Sequence, residues 1–312
     1  MKNIFPIIAV LATVLVSACI LPGGEILPGG GITPVTTGRG LEITNFEAQP
    51  TDTSSGGTVR LIMEVENRGG ANVGNLTSSA FVRGPIGTGT LGWTLTTGTN
   101  PSGFGKDVKA ADTVRGLPAG TGRVTWSLTA PTVPAGTVRT YTFTGVTSYD
   151  YLTTGFGTVR VYPEAAADAA RTAGKTLQRS EFTPTTGPVG LEVTIQPDPV
   201  ILFSGEKTFS VTLKVSNAGG GTLYKQGSVS YTADPTPTTT DLNKVDVTVN
   251  MPGVTISGCT GTQELISGKA TPLICDATLA STPTAFQEFP FEVTVRYGYQ
   301  IERALSVTVS GR

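Results

Sequence analysis

Two stretches of this chain repeat each other about 150 residues apart, and the repeated residues alternate apolar with polar. Leu41-Glu42-Ile43-Thr44 returns as Leu191-Glu192-Val193-Thr194, and Asn67-Arg68-Gly69-Gly70 as Asn217-Ala218-Gly219-Gly220, both at an offset of 150. Between them Val59, Leu61, Met63 and Val65 align with Phe209, Val211, Leu213 and Val215. A second block follows at an offset of 148: Phe143 with Phe291, Tyr149-Asp150-Tyr151 with Tyr297-Gly298-Tyr299, and Val159-Arg160-Val161 with Val307-Thr308-Val309. Chance supplies single matches of this kind, but not all of them in order. A period of two places every second side chain on one face of a strand. In 207–215 the inward face is Phe209, Val211, Leu213 and Val215, and Phe289 to Tyr299 alternates in the same way. Strands of this kind, broken by Gly, Pro and Asn turns, predict an all-β chain of two tandem antiparallel β-sandwiches.

The expected organisation follows. Residues 41–163 form the first sandwich, with a Gly/Thr-rich insertion from Gly84 to Gly120. Residues 164–187 form a short helix and linker, with Pro163 before Glu164-Ala165-Ala166-Ala167-Asp168-Ala169-Ala170-Arg171 and Gly174 after it. Residues 188–312 form the second sandwich. Asn-x-Gly-Gly in both halves reads as a turn, because Asn and Gly tolerate positive φ.

Composition narrows the function. Charged residues are 14% of the chain and the net charge is −1, so no basic face meets phosphates and nucleic acid is not an expected partner. Apolar content of 38% is enough for cores. The chain has no histidine, which removes the commonest general base and metal ligand, and with them any Ser-His-Asp triad or His-containing zinc site.

The first residues carry an address. Lys2 precedes the apolar run Ile4–Val16, and Leu15-Val16-Ser17-Ala18-Cys19 reads as a lipobox, the cleavage and acylation site of a prokaryotic lipoprotein. On this reading 1–18 is a signal peptide, Cys19 is lipidated, and 19–40 is a Gly/Pro/Thr-rich tether. Its repeat Ile20-Leu21-Pro22-Gly23-Gly24 and Ile26-Leu27-Pro28-Gly29-Gly30 is of flexible composition, with a span of roughly 25 Å. The alternative is an uncleaved N-terminal membrane helix, although the run is shorter than the roughly 20 apolar residues of a spanning helix. Both readings put the body outside the cytoplasm, attached to a membrane and facing the periplasm or cell surface.

The other cysteines, Cys259 and Cys275, flank the turn signal Ser267-Gly268. A three-residue loop, Ile266-Ser267-Gly268, sets Leu265 against Lys269, and counting outward by twos brings Cys259 opposite Cys275. An oxidising compartment then predicts a structural disulfide. Pro272 within this hairpin points to an edge strand.

Other candidates are sparse. Asp150, Glu164 and Asp168 are close in sequence, but nothing indicates a pocket between them, and Lys106-Asp107-Val108-Lys109 reads as a polar strand. Asp234 and Asp241 flank a Pro/Thr loop of low ligand density for calcium. No stretch has a phosphate-binding glycine pattern in the required context. Trp93 and Phe104, in the insertion, are candidates for contact with a glycan or partner protein, against the alternative that they cap the sandwich. Asn75-Leu76-Thr77 is a glycosylation sequon. No catalytic, cofactor-binding or metal-ligating residue is assigned.

Val65-Glu66-Asn67-Arg68-Gly69-Gly70-Ala71-Asn72 and Val215-Ser216-Asn217-Ala218-Gly219-Gly220-Gly221 resemble the strand-turn signature of CARDB-like (cell-adhesion-related) domains. The stretch Phe291-Glu292-Val293-Thr294-Val295-Arg296-Tyr297-Gly298-Tyr299 after the cysteine hairpin resembles the ending of immunoglobulin-like domains of archaeal envelope proteins. The resemblance implies immunoglobulin-like sandwiches and a role in adhesion or scaffolding rather than catalysis. The insertion departs from a minimal domain of that family. The expectation is a non-enzymatic, membrane-anchored surface protein that meets an envelope protein or glycan. The alternatives are a subunit of a surface filament or secretion assembly, and an envelope carbohydrate-binding or hydrolytic protein.

Overall fold

The computed structural model describes residues 39–87, 92–270 and 272–312. The signal segment, Cys19 and the tether as far as residue 38 lie outside the described residues. Along the chain run β1 (Leu41–Gln49), β2 (Asp52–Ser54), β3 (Thr58–Asn67), β4 (Ser78–Arg83), β5 (Thr94–Thr97), β6 (Thr121–Thr129) and β7 (Val138–Pro163). Helix α1 (Glu164–Thr172) follows, then β8 (Glu181–Pro184), β9 (Val189–Gln196), β10 (Val200–Leu202), β11 (Thr208–Asn217) and β12 (Thr222–Tyr224). The remainder is β13 (Lys244–Asn250), β14 (Val254–Ser257), β15 (Gly261–Ile266), β16 (Lys269–Ala270), β17 (Leu273–Leu279) and β18 (Gln287–Ser310).

The fold is all-β and built mainly of antiparallel pairs, as the alternation requires. In the first half, β1-β3-β6-β5 form a four-stranded sheet. Val59, Leu61, Met63 and Val65 of β3 are all buried, and the same pattern recurs in β11 at Phe209, Val211, Leu213 and Val215. Each such side chain contributes about 1.5–3 kcal/mol by leaving water. In the second half, β9-β11-β17-β14 form the corresponding layer.

The facing layers share one spine. β7 and β18, the last strands of the two repeats, pair antiparallel without interruption from Val138↔Ser310 to Val161↔Gln287. Asp150 and Gly298, equivalent positions 148 residues apart, face each other across it, so a pseudo-two-fold axis passes between them. The first part of β7 carries β4 of its own half, and β18 continues beside it, pairing β2 at its end and donating from Arg303 to β1. Beyond Asp150, β7 runs through the second half, where it pairs β8 and β10. The segments 41–163 and 188–312, expected as separate sandwiches, therefore exchange the ends of their last strands.

Several expectations are corrected in detail. The Tyr149 hydroxyl takes the Leu41 N–H at 3.0 Å, and the Tyr297 hydroxyl takes the Val189 N–H at 3.2 Å. The structural counterpart of Leu41 is thus Val189, two residues earlier than the sequence match to Leu191. A shift of two keeps the same face inward, so the side-chain pattern does not register it. The Asn-x-Gly-Gly loops are set by asparagine side chains rather than by positive φ at Asn. Asn67 Nδ2 donates to Ala71 O at 2.8 Å and Asn217 Nδ2 to Gly221 O at 2.9 Å, and only Gly220 among these loop residues has positive φ, 73°.

The cysteine hairpin is also rearranged. Its loop has two residues, Ser267 (φ 53°) and Gly268 (φ 77°), with Ile266 opposite Lys269 and Leu265 opposite Ala270. Away from the turn the arms part. β15 pairs β13, whereas β17 lies between β11 and β14 and is not an edge strand; Pro272 sits just before it. Linker 164–187 contains α1, with Glu164 in its first turn, Arg171 in its last and Gly174 at φ 68°, and then β8, a strand the sequence reading missed. Among the described residues no helix is long and apolar enough to cross a membrane.

Candidate functional site: a cleft beside the pseudo-two-fold

Four tyrosines mark the centre of the spine. Tyr149, Tyr151, Tyr297 and Tyr299 sit at odd positions of two paired strands and therefore share one face. Their rings contact edge-on or tilted, with centroids 5.9–6.3 Å apart. Each hydroxyl takes a backbone N–H from a different turn: Leu41, Ala71 (2.9 Å), Val189 and Gly221 (2.7 Å). Tyr299 in turn donates to Asn217 Oδ1 at 2.9 Å. Burial pushes all four phenols up, Tyr151 to about 12, so they act as neutral hydrogen-bonding groups.

On the first-half side this cluster floors a cleft of about 490 Å³ lined by Arg39 to Ile43, Arg68, Tyr149, Gly219, Tyr299 and Ile301 to Arg303. Most of its charges have partners. Arg68 bridges Glu42 (3.4 Å) and Glu66 (2.8 Å). Arg303 Nη1 donates to Ile43 O (3.2 Å) and Thr44 O (3.0 Å), where the register of β1 slips between Ile43 and Asn45. A β-bulge frees ladder groups at such a slip, and the guanidinium satisfies them. Glu302 accepts from Arg83 and Gln300, both at 2.7 Å. Arg39 makes no ion pair among the described residues. Backbone edges and paired charges suit this cleft to an extended peptide; it holds no nucleophile with an adjacent base.

The even-numbered face of the spine carries a second polar cluster. The loop after β12 folds over it, Tyr231 donating to Asp150 Oδ1 at 2.6 Å and Gly227 N–H reaching the same oxygen at 3.4 Å. Burial raises the Asp150 carboxyl, opposed by these donors. Burial, the neighbouring Tyr224 and the Asp150 carboxylate raise Tyr231 in turn. Arg83 ties the loop down through Asp234 (3.3 Å) and Thr236 (2.9 Å).

The candidates from the sequence are dispersed. Cys19 lies outside the described residues. Cys259 and Cys275 are joined, with Cα atoms 5.0 Å apart and both residues buried. The bond ties the connection between β14 and β15 to β17, rather than closing a continuous hairpin. Trp93 and Phe104 are not available to a partner or glycan. Trp93 is fully buried edge-on to Tyr141 (5.7 Å) and Phe143 (5.3 Å), and the Phe104 ring covers Gly122 of β6. Asn75 is half-buried in a 3-10 turn with its N–H on Asp107 (2.9 Å) and its Oδ1 enclosed; neighbouring Leu76 is exposed. Asp150 is separated from Glu164 and Asp168 by about 40 Å of strand, and Asp168 pairs with Arg171 at 3.1 Å. Val108 of the expected polar strand is buried and bridges Val73. Asp234 is held by Arg83, and Asp241 accepts from Thr238 at 2.6 Å. No group of three or more Cys, Asp or Glu side chains placed to hold a metal ion occurs among the described residues. Sequence reasoning missed the cleft because its walls come from both repeats, with no local motif to mark them.

No family model matches this chain, and no curated protein matches it.

Proposed function

We propose that this chain is a non-enzymatic, lipid-anchored protein of the cell envelope, displaying a rigid β body for adhesion, scaffolding or partner binding. The observation that carries the proposal is the shared spine: an unbroken ladder from Val138↔Ser310 to Val161↔Gln287 locks the two halves together by main-chain bonds. Such a body suits a spacer or scaffold better than an enzyme that must open and close. The Asn-closed loops after β3 and β11 support the CARDB-like, immunoglobulin-like reading, and the absence of histidine removes the commonest general base.

The anchor is tested by feeding cells a labelled lipid precursor. Label and membrane retention are expected in the parent chain and lost in Cys19→Ala; retention and label unchanged by the substitution overturn the lipid anchor. Turnover of any envelope polymer by the purified protein overturns the non-enzymatic reading. A filament or assembly subunit is the second reading. It is favoured by β9, an outer strand of its layer with no partner beyond β11 among the described residues, since such edges accept further strands. A monomer by size exclusion and electron microscopy rules out self-assembly.

A further inference from the structure

The two halves treat the same sheet edge in opposite ways. β1 and β9 are equivalent outer strands, each paired on one side only among the described residues. They start opposite equivalent asparagines, Leu41 at Asn67 and Val189 at Asn217, and end opposite equivalent positions, Gln49 at Arg60 and Gln196 at Ser210. Over that span β1 has nine residues and β9 eight. The extra residue is Thr44, at the register slip between Ile43 and Asn45, and Arg303 covers the slip by donating to Ile43 O and Thr44 O. A bulge and a charge at an edge both stop a further strand from adding there. β9 has neither. Its pairs with β11 run from Val189↔Asn217 to Gln196↔Ser210 without a slip. The residue equivalent to Arg303, 148 positions earlier, is Gly155, which has no side chain to reach the edge and lies under the Phe182 ring. β9 holds no Lys, Arg or Pro, and its single charge, Glu192, is paired with Lys214 at 3.4 Å.

We infer that β9 is an association edge whose partner is β9 of a second copy, added antiparallel about a two-fold axis through Val193. The pair rests on the self-assembly reading above and names its surface. The strand's own sequence selects the axis. With Val193 opposite itself, Leu191 meets Ile195 on the inward face, Glu192 meets Thr194 on the outward face, and Gly190 meets Gln196. The apolar faces of both copies stay on one side, so the layer continues from one body into the next. An axis through Glu192 sets the two carboxylates against each other, and one through Thr194 shortens the ladder to residues 192–196. A two-fold pair uses up the edge in both copies, so association closes at two. The equivalent edge, β1, is blocked by its bulge and Arg303, so pairing of this kind does not extend the dimer into a filament.

The facing stretch, Gly190–Gln196, falls short of the roughly 20–30 residues a side of a stable interface. The pair is therefore weak in solution and is read at high-micromolar concentration.

The test follows the full chain in detergent by sedimentation equilibrium, where a monomer–dimer equilibrium is expected. Thr194→Glu sets a second carboxylate opposite Glu192 of the other copy, at two symmetric positions, and is expected to weaken the dimer roughly tenfold. Thr194→Lys meets the same carboxylate and is expected to strengthen the dimer several-fold. Thr278→Glu, at an exposed position of β17 in the same layer, adds charge away from the axis and is expected to leave the equilibrium unchanged. Mild oxidation reads the register: Val193→Cys is expected to join two copies roughly tenfold faster than Ile195→Cys, which faces Leu191. Peptide mapping by mass spectrometry identifies the joined cysteines. A chain that stays monomeric overturns the inference and the self-assembly reading together. Filaments, or a dimer that responds alike to the two Thr194 substitutions, or Val193→Cys joining no faster than Ile195→Cys, leave self-assembly standing and overturn the β9 pair.

Discussion

The Tyr149 hydroxyl takes the Leu41 N–H at 3.0 Å where the chain enters β1, and no second partner for it occurs among the described residues. Tyr149→Phe keeps the ring but leaves a buried donor unpaired, and is expected to cost about 1–3 kcal/mol, read as a lower urea midpoint with an unchanged slope. Tyr141→Phe, on the neighbouring wall against Trp93, is the control for ring packing and is expected to stay within about 0.5 kcal/mol. The four central phenols also set an alkaline limit. Tyr151 is raised to about 12 in the folded chain, and a tyrosine in the unfolded chain ionises near pH 10. A group raised on folding stabilises fully below its unfolded value, so this contribution is complete below about pH 10 and is lost as the pH rises towards 12. Tyrosinate absorbance and the loss of β circular dichroism are therefore expected to rise together above pH 10. Free titration of these phenols with the fold intact would contradict their burial.

At the scale of elements, alternation identified what faces inward better than what pairs with what. The buried faces of β3 and β11 were legible from their sequences, and so was α1 between Pro163 and Gly174. Legibility stopped at register and partner choice. A two-residue shift of β9 against β1 preserves every inward side chain, so the pattern is blind to it. β8 has four residues, too few for a period, and its place depends on Gly155 and Gly157 leaving room opposite Phe182. The cysteine pairing was foreseen, but through a straight hairpin that does not exist, because away from the turn β15 pairs β13 while β17 pairs β11 and β14. The bond therefore fastens the β14–β15 connection to β17 rather than joining two arms of one hairpin. Replacing Cys259 and Cys275 with Ala together is expected to cost about 2–4 kcal/mol and to lower Tm by roughly 5–10 °C by calorimetry. A smaller shift would mean that β11 and β14 hold β17 in place without it.

At the scale of the whole molecule, the duplication was readable as two similar units, but the exchange between them was not. Nothing local distinguishes a long strand that ends its own sandwich from one that continues into its neighbour's. Residues 39–187 alone lack the half of β18 that lies beside β1 and β2. That fragment is expected to give no cooperative unfolding transition, whereas the full body unfolds in one step. A cooperative transition in the fragment would show that β18 is dispensable to the first half. The spine also orders events in time. Its bonds join residues as far apart as Val138 and Ser310, so the first half cannot close until the final strand has been made. A chain with this wiring remains threadable until β18 has been made. If the chain is exported as proposed, delayed closure keeps it competent for translocation until β18 has followed the rest of the body across.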